Sequence, residues 1–190
     1  MKRRSILTGA LAVGAAAVVS PYAQADILKR GIRVASGQDR FGEPSPLGPS
    51  RAMNCKVSGK DTNGEWCSFE SHWHSKGGPP LHVHHQQEEW FYVVEGSYVF
   101  QIGEEKFRVA EGDCVLAPRE VPHTFAHVRD ERGKIVSVFQ PAGEIEAFFH
   151  EIGKLGDASG EQTQRLYRAH GLELLGPPLN VAEMLKFFQS

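Results

Sequence analysis

The chain has 190 residues, of which 41% are hydrophobic and 23% charged, and its formal net charge is −2. That length fits one domain with a sizeable core, and the composition is that of an ordinary soluble protein. No basic stripe is present to bind nucleic acid.

The amino terminus reads as an export signal. Lys2, Arg3 and Arg4 form a positive start, Ser5 to Ser20 is an apolar run rich in Ala, Gly and Val, and Ala23-Gln24-Ala25 offers small residues for cleavage before Asp26. Arg3-Arg4-Ser5-Ile6-Leu7 resembles a twin-arginine signal, and the weakly hydrophobic run suits that route. The alternative is an uncleaved membrane anchor, for which this apolar run is near the short end of spanning length. Loss of residues 1–25 removes three positive charges and no negative one, which takes the net charge from −2 to −5. A periplasmic or secreted protein with no nucleic-acid partner and no membrane partner is expected.

Residues 26–50 hold Pro44, Pro46 and Pro49 and read as an irregular arm. A barrel domain is expected over 51–142. Ala52–Val57 and Trp66–His72 are strand-like and flank Asp61-Thr62-Asn63-Gly64, a hairpin signal. Glu89–Val94, Tyr98–Ile102, Lys106–Val109, Cys114–Ala117, Thr124–Val128 and Lys134–Phe139 continue the series of short strands, punctuated by Gly and Pro. Many short strands of this kind predict an all-β sandwich or barrel. Residues 143–190 change texture. Ile145, Phe148, Phe149 and Ile152 recur at helical spacing, and Glu161–His170 and Val181–Phe188 read as further helices. These helices are expected to cap the barrel or to help form a homodimer, for which an edge strand is the other candidate.

Of the three cysteines, Cys55 and Cys67 fall on neighbouring strands. They either pair as a disulfide in an oxidising compartment or stay as buried thiols. Cys114 is expected to be a small buried hydrophobe.

The nine histidines are unevenly spread, with His72, His74, His82, His84 and His85 crowded together and His123 and His127 following. His82 and His84 project to one side of a strand. Glu89 is an odd number of residues further on, so a bend through His85-Gln86-Gln87 must bring it to them. His123 begins a later strand after Pro118 and Pro122 and shares a face with Phe125 and His127. Three imidazoles and one carboxylate suit one divalent transition metal (Fe, Mn, Ni, Co, Cu or Zn) better than Ca or Mg, and they leave coordination positions open for chemistry. Glu88 is the competing carboxylate. His85 should face solvent, and His72 and His74 should pack at the barrel rim.

Two stretches resemble the paired motifs of the cupin superfamily. The first runs from Gly78 through His82, His84 and Glu89 to Gly96, and the second from Gly112 through Pro118 to His123. The resemblance implies a jelly-roll β-barrel with a metal in its mouth, held by His82, His84, Glu89 and His123. The first motif and the tail Gly171–Pro178 are similar to single-domain quercetin 2,3-dioxygenase-like cupins. Such enzymes insert both atoms of O₂ into a flavonol, and their ligand glutamate also takes the substrate's hydroxyl proton. That similarity implies a dioxygenase acting on a small aromatic or enol compound, with Glu89 as the catalytic base. The same scaffold also carries isomerases or lyases and non-catalytic binding modules. Phe91 and Phe125 have the parity of the ligands and are expected to line the substrate pocket or fill the core. Trp90 and Tyr92 point the other way, to packing between sheets or against the helices. Two positions depart from the family pattern. Glu120 stands where a turn glycine is expected, and His127 stands where an Asn is expected, as pocket lining, support or a fifth donor.

Overall fold

The computed structural model describes residues 31–48, 51–155 and 160–189. The export signal read at 1–25 lies outside these residues. The described part of the arm, 31–48, has no helix or strand.

Ten strands and three α-helices follow in order among the described residues: β1 (Arg51–Val57), β2 (Cys67–Trp73), β3 (Pro80–His84), β4 (Glu88–Glu95), β5 (Ser97–Ile102), β6 (Glu105–Ala110), β7 (Cys114–Ala117), β8 (His123–His127), β9 (Gly133–Gln140), α1 (Ile145–Leu155), α2 (Gly160–Ala169), β10 (Leu172–Pro178) and α3 (Val181–Phe187). They build two five-stranded sheets, β1-β2-β9-β4-β7 and β10-β3-β8-β5-β6. All pairings are antiparallel. This is the expected all-β jelly roll with carboxy-terminal helices.

Alternation along each strand decides what lies inside. On β4 the inward positions Glu89, Phe91 and Val93 are buried, while Trp90, Tyr92 and Val94 are exposed. Phe91, Val93 and Ile135 of one sheet meet Tyr98, Phe100 and Phe125 of the other in an apolar core. Burial of each such side chain contributes roughly 1.5–3 kcal/mol. A second cluster, with Cys55, Phe69, Phe139, Ile145, Phe148, Tyr167 and Leu172, lies between the barrel and the first two helices. Helix α1 thus caps the barrel through the stripe read from the sequence. Helix α3 instead packs Met184 against Val99 and Val128 on the outside of β5 and β8.

Three sequence readings are corrected. The β1–β2 connection is not a tight hairpin. Ser58 caps a single 3₁₀ turn over Gly59–Thr62, with Asn63 in the left-handed conformation at its end (φ 56°), and Glu146 at the start of α1 bonds Ser58 and Gly59. Trp90 and Tyr92 are not packed between sheets. Their rings stack on each other, 6.1 Å between centroids, on an open face. Cys114 shares that outward parity and is exposed. Cys55 and Cys67 are buried free thiols, and burial pushes Cys55 up to about 12.

One glycine bears directly on the site. A Cβ on Gly78 would fall 1.6 Å from the Phe125 carbonyl oxygen, so only glycine lets the segment leading into β3 press against β8.

Candidate metal centre

The two sheets bring four donors together. β3 supplies His82 and His84, β8 supplies His123, and β4, in the facing sheet, supplies Glu89. The bend expected at 85–87 is the crossing from one sheet to the other. His82 stands opposite His123 in the β3–β8 pairing. One ligating atom from each of the four residues lies within 4.8 Å of all the others, and all four residues are buried. Bonds of about 2 Å to a shared ion require only a small convergence from there.

Glu88, the competing carboxylate, points outward and pairs with Arg119. His85 is exposed and contacts Glu120 instead of the cluster. His72 bonds Glu70 at 2.8 Å on β2, apart from the cluster. Residue 74 lies just past β2 and is exposed.

Hydrogen bonds fix which nitrogen of each imidazole faces the centre. His82 Nδ1–H donates to the Pro80 carbonyl at 2.8 Å, and His123 Nδ1–H donates to the Val121 carbonyl at 3.1 Å. His84 Nδ1–H donates to Gln87 Oε1 at 3.2 Å. Gln87 cannot turn its amide around, because its Nε2 donates to the carbonyls of Pro141 and Ala142 at 2.9 and 2.7 Å. Each ring therefore spends its one neutral-state proton on Nδ1 and aims the Nε2 lone pair inward. Burial, first, and the neighbouring imidazoles hold His82 well below its ordinary range; burial also lowers His84. Both rings are thus kept in the neutral, ligating form.

This arrangement could hold a cation. His123 Nε2 lies 3.1 Å and His84 Nε2 3.5 Å from the same Glu89 Oε2. With the ring protons on Nδ1, lone pairs of three acceptors converge. A positive charge among them would offset the repulsion between those lone pairs. One divalent transition metal bound by three neutral nitrogens and one carboxylate fits the donor set.

The centre lies on the wall of a cavity. Trp73, Phe125, Phe139, Phe148, Phe149 and Ile152 are among its apolar lining, and His82, His84 and Glu89 are among its polar lining. Helices α1 and α2 contribute Phe148, Phe149, Ile152 and Tyr167, which the strand pattern alone did not reveal as site residues. Phe125 lines this cavity. Phe91 does not; it packs edge-on to Phe100 and Phe125 in the core beneath the centre, its ring 6.4 Å from that of His123. His127 is neither pocket lining nor a fifth donor. It is fully buried further along β8, with Nδ1–H donating to the Ser75 carbonyl at 3.2 Å and its ring 5.0 Å from that of Tyr98.

The missing turn glycine has a visible consequence. Glu120 takes up the left-handed conformation that glycine would adopt (φ 62°), and its N–H donates to the His84 carbonyl at 2.8 Å. The turn survives the substitution and still buttresses β3.

A double-sheet barrel with a His₃Glu cluster inside it is the architecture of a metal-binding cupin. Residues 69–139 match the family model described as Cupin domain, which supports placing this fold in the cupin superfamily. It is similar to the uncharacterized protein MJ1618 of Methanocaldococcus jannaschii, 33% identical over 61 residues, which cover 32% of this chain and 49% of that protein. It is also similar to the uncharacterized protein SCO3923 of Streptomyces coelicolor, 35% identical over 57 residues, covering 30% of this chain and 53% of that one. The chain thus spans about half the length of the curated relatives it matches. Among solved structures, KdgF from Halomonas sp. aligns with a TM-score of 0.49 at 16% identity, covering 55% of this chain and 90% of that chain.

Proposed function

We propose that this protein is an exported, metal-dependent dioxygenase that oxidises a small aromatic or enol-type compound. The observation that carries the reading is a four-donor cluster on the wall of a largely aromatic cavity. A divalent transition metal bound there would supply Lewis acidity and open positions for substrate oxygen and O₂. His82, His84 and His123 hold that ion while their Nδ1 bonds keep the rings from turning. Glu89 accepts the substrate's hydroxyl proton at a carboxylate oxygen. Phe125, Phe148 and Phe149 bury the substrate's ring and exclude water.

Oxygen consumption by metal-loaded protein with flavonols and related enediols tests the reading. Uptake of O₂ with one of Fe, Mn, Ni, Co or Cu is expected. No uptake with any of them ends the dioxygenase reading, and turnover that persists without oxygen selects a metal-dependent isomerase or lyase in its place.

Export rests on Arg3, Arg4 and the cleavage motif that ends at Ala25. A protein exported folded by the twin-arginine route would take up its metal before crossing. Replacement of Arg3 and Arg4 by Lys should hold it in the cytoplasm, and normal export of that variant would count against the route.

A further inference from the structure

One cation in the cavity has no part in the metal centre. Arg51, the first residue of β1, lines the cavity together with Met53, Trp73 and Tyr167. It stands opposite Trp73 in the β1–β2 pairing, and its guanidinium lies over the Trp73 ring, 5.7 Å from the centroid. Among the described residues no carboxylate pairs with it. Among the described residues, the only acidic side chain on the cavity wall is Glu89, whose Oε2 already faces His84 and His123. Burial lowers the pKa of Arg51, a sign that it is poorly hydrated. A half-buried guanidinium without an anion is unfavourable, and it is well suited to hold a planar carboxylate through two parallel N–H bonds.

Position adds to the case. The charge on Arg51 acts on Tyr167, and the Tyr167 ring lies 6.2 Å from that of His82. Arg51, Tyr167, His82, His84 and Glu89 all line this one cavity, so a molecule bound in it faces both the guanidinium and the histidine cluster. The charge balance points the same way. A divalent ion with three neutral imidazoles and one carboxylate carries one net positive charge, and Arg51 adds a second.

We infer that the molecule bound in this cavity is a small carboxylic acid with an apolar body, its carboxylate held by Arg51 and its other polar end turned to the histidine cluster. The inference rests on the reading of the cavity as a substrate site, and it narrows the expected compound from a neutral flavonol to an aromatic or enolic acid.

Calorimetric titration of the metal-loaded full chain with phenylacetate and with phenylacetamide, which match in shape and differ in charge, tests it. Wild type is expected to prefer the acid by about tenfold or more, as a charge-assisted bond implies. Arg51→Gln should abolish the preference, and Arg51→Lys should keep part of it, with metal content and melting temperature unchanged in both. Equal affinity for acid and amide, or binding of neither, overturns the inference. So does a preference that survives in Arg51→Gln, which would place the carboxylate on the metal. The same titrations on metal-stripped protein separate this inference from the dioxygenase reading. An Arg51-dependent preference for the acid persists there even if no metal supports oxygen uptake.

Discussion

His82 and His123 face each other across the β3–β8 pairing, their rings 4.6 Å apart. Residues distant in sequence become adjacent donors because the two strands meet at that pair. Glu89 completes the set from the opposite sheet. The site therefore depends on the two sheets keeping their separation, and on the polar groups that lock each ring.

Gln87 is the most informative of those groups. It is buried, and it ties the His84 ring to the carbonyls that precede α1. Gln87→Ala is expected to weaken metal binding about 10- to 100-fold, the usual effect of removing a ligand's hydrogen-bond partner. Competition against a chelator measures it, and unchanged affinity would show that the His84 ring is held by packing alone.

His127 should make stability depend on pH. Burial holds its pKa below the ordinary 6.5. The unfolded chain takes up a proton there more readily than the folded one, so the contribution of His127 is fully present above about pH 6.5 and is lost as pH falls below that. His127→Asn should narrow the gap between melting temperatures at pH 7.5 and pH 5. An unchanged gap would assign the acid sensitivity to other groups.

Glu120 occupies a conformation that costs an L-residue about 1–2 kcal/mol. The exposed contact of its side chain with His85 returns at most about 1 kcal/mol, and glycine is more flexible when unfolded. Glu120→Gly should raise the melting temperature by up to about 3 °C. A fall in thermal melting would show that the His85 contact outweighs the backbone strain.

The thiols should differ in reactivity. Cys114 is exposed, while Cys55 and Cys67 are buried and held as neutral thiols. Native protein should take up one equivalent of a thiol reagent and the denatured protein three, with no reductant needed. Only one reactive thiol after unfolding would reveal a disulfide between Cys55 and Cys67.

Most of the barrel was legible in the sequence because alternation of apolar and polar residues sets the face of each strand. β10 was not, because it contains Gly176, Pro177 and Pro178, which carry no strand signal. They are tolerated because β10 is an edge strand whose pairing with β3 shifts register twice over that stretch. Parity from His84 alone would have turned Glu89 away; the motif spacing to Gly96, with a bend at 85–87, picked it over Glu88, which faces outward and pairs with Arg119. Parity could not give depth along the barrel. His127 shares the inward face of His123 but lies four residues on, about 13 Å at strand spacing, too far to join the same ion. Nor could parity tell a covered outer face from an open one, which is why Trp90 and Tyr92 were expected to be packed over; Cys114, on the same outward face, is likewise exposed. The helical share of the cavity wall came from tertiary packing, which a strand pattern does not contain.

Metal content of the purified protein, measured beside that of His84→Ala, Glu89→Gln and His123→Ala variants that keep the wild-type fold, tests the centre most directly. One divalent transition ion per wild-type chain, falling by at least about 100-fold in affinity in each variant, is the predicted result. A wild-type protein that binds no ion stoichiometrically, or an ion that stays after any of those donors is removed, would contradict it.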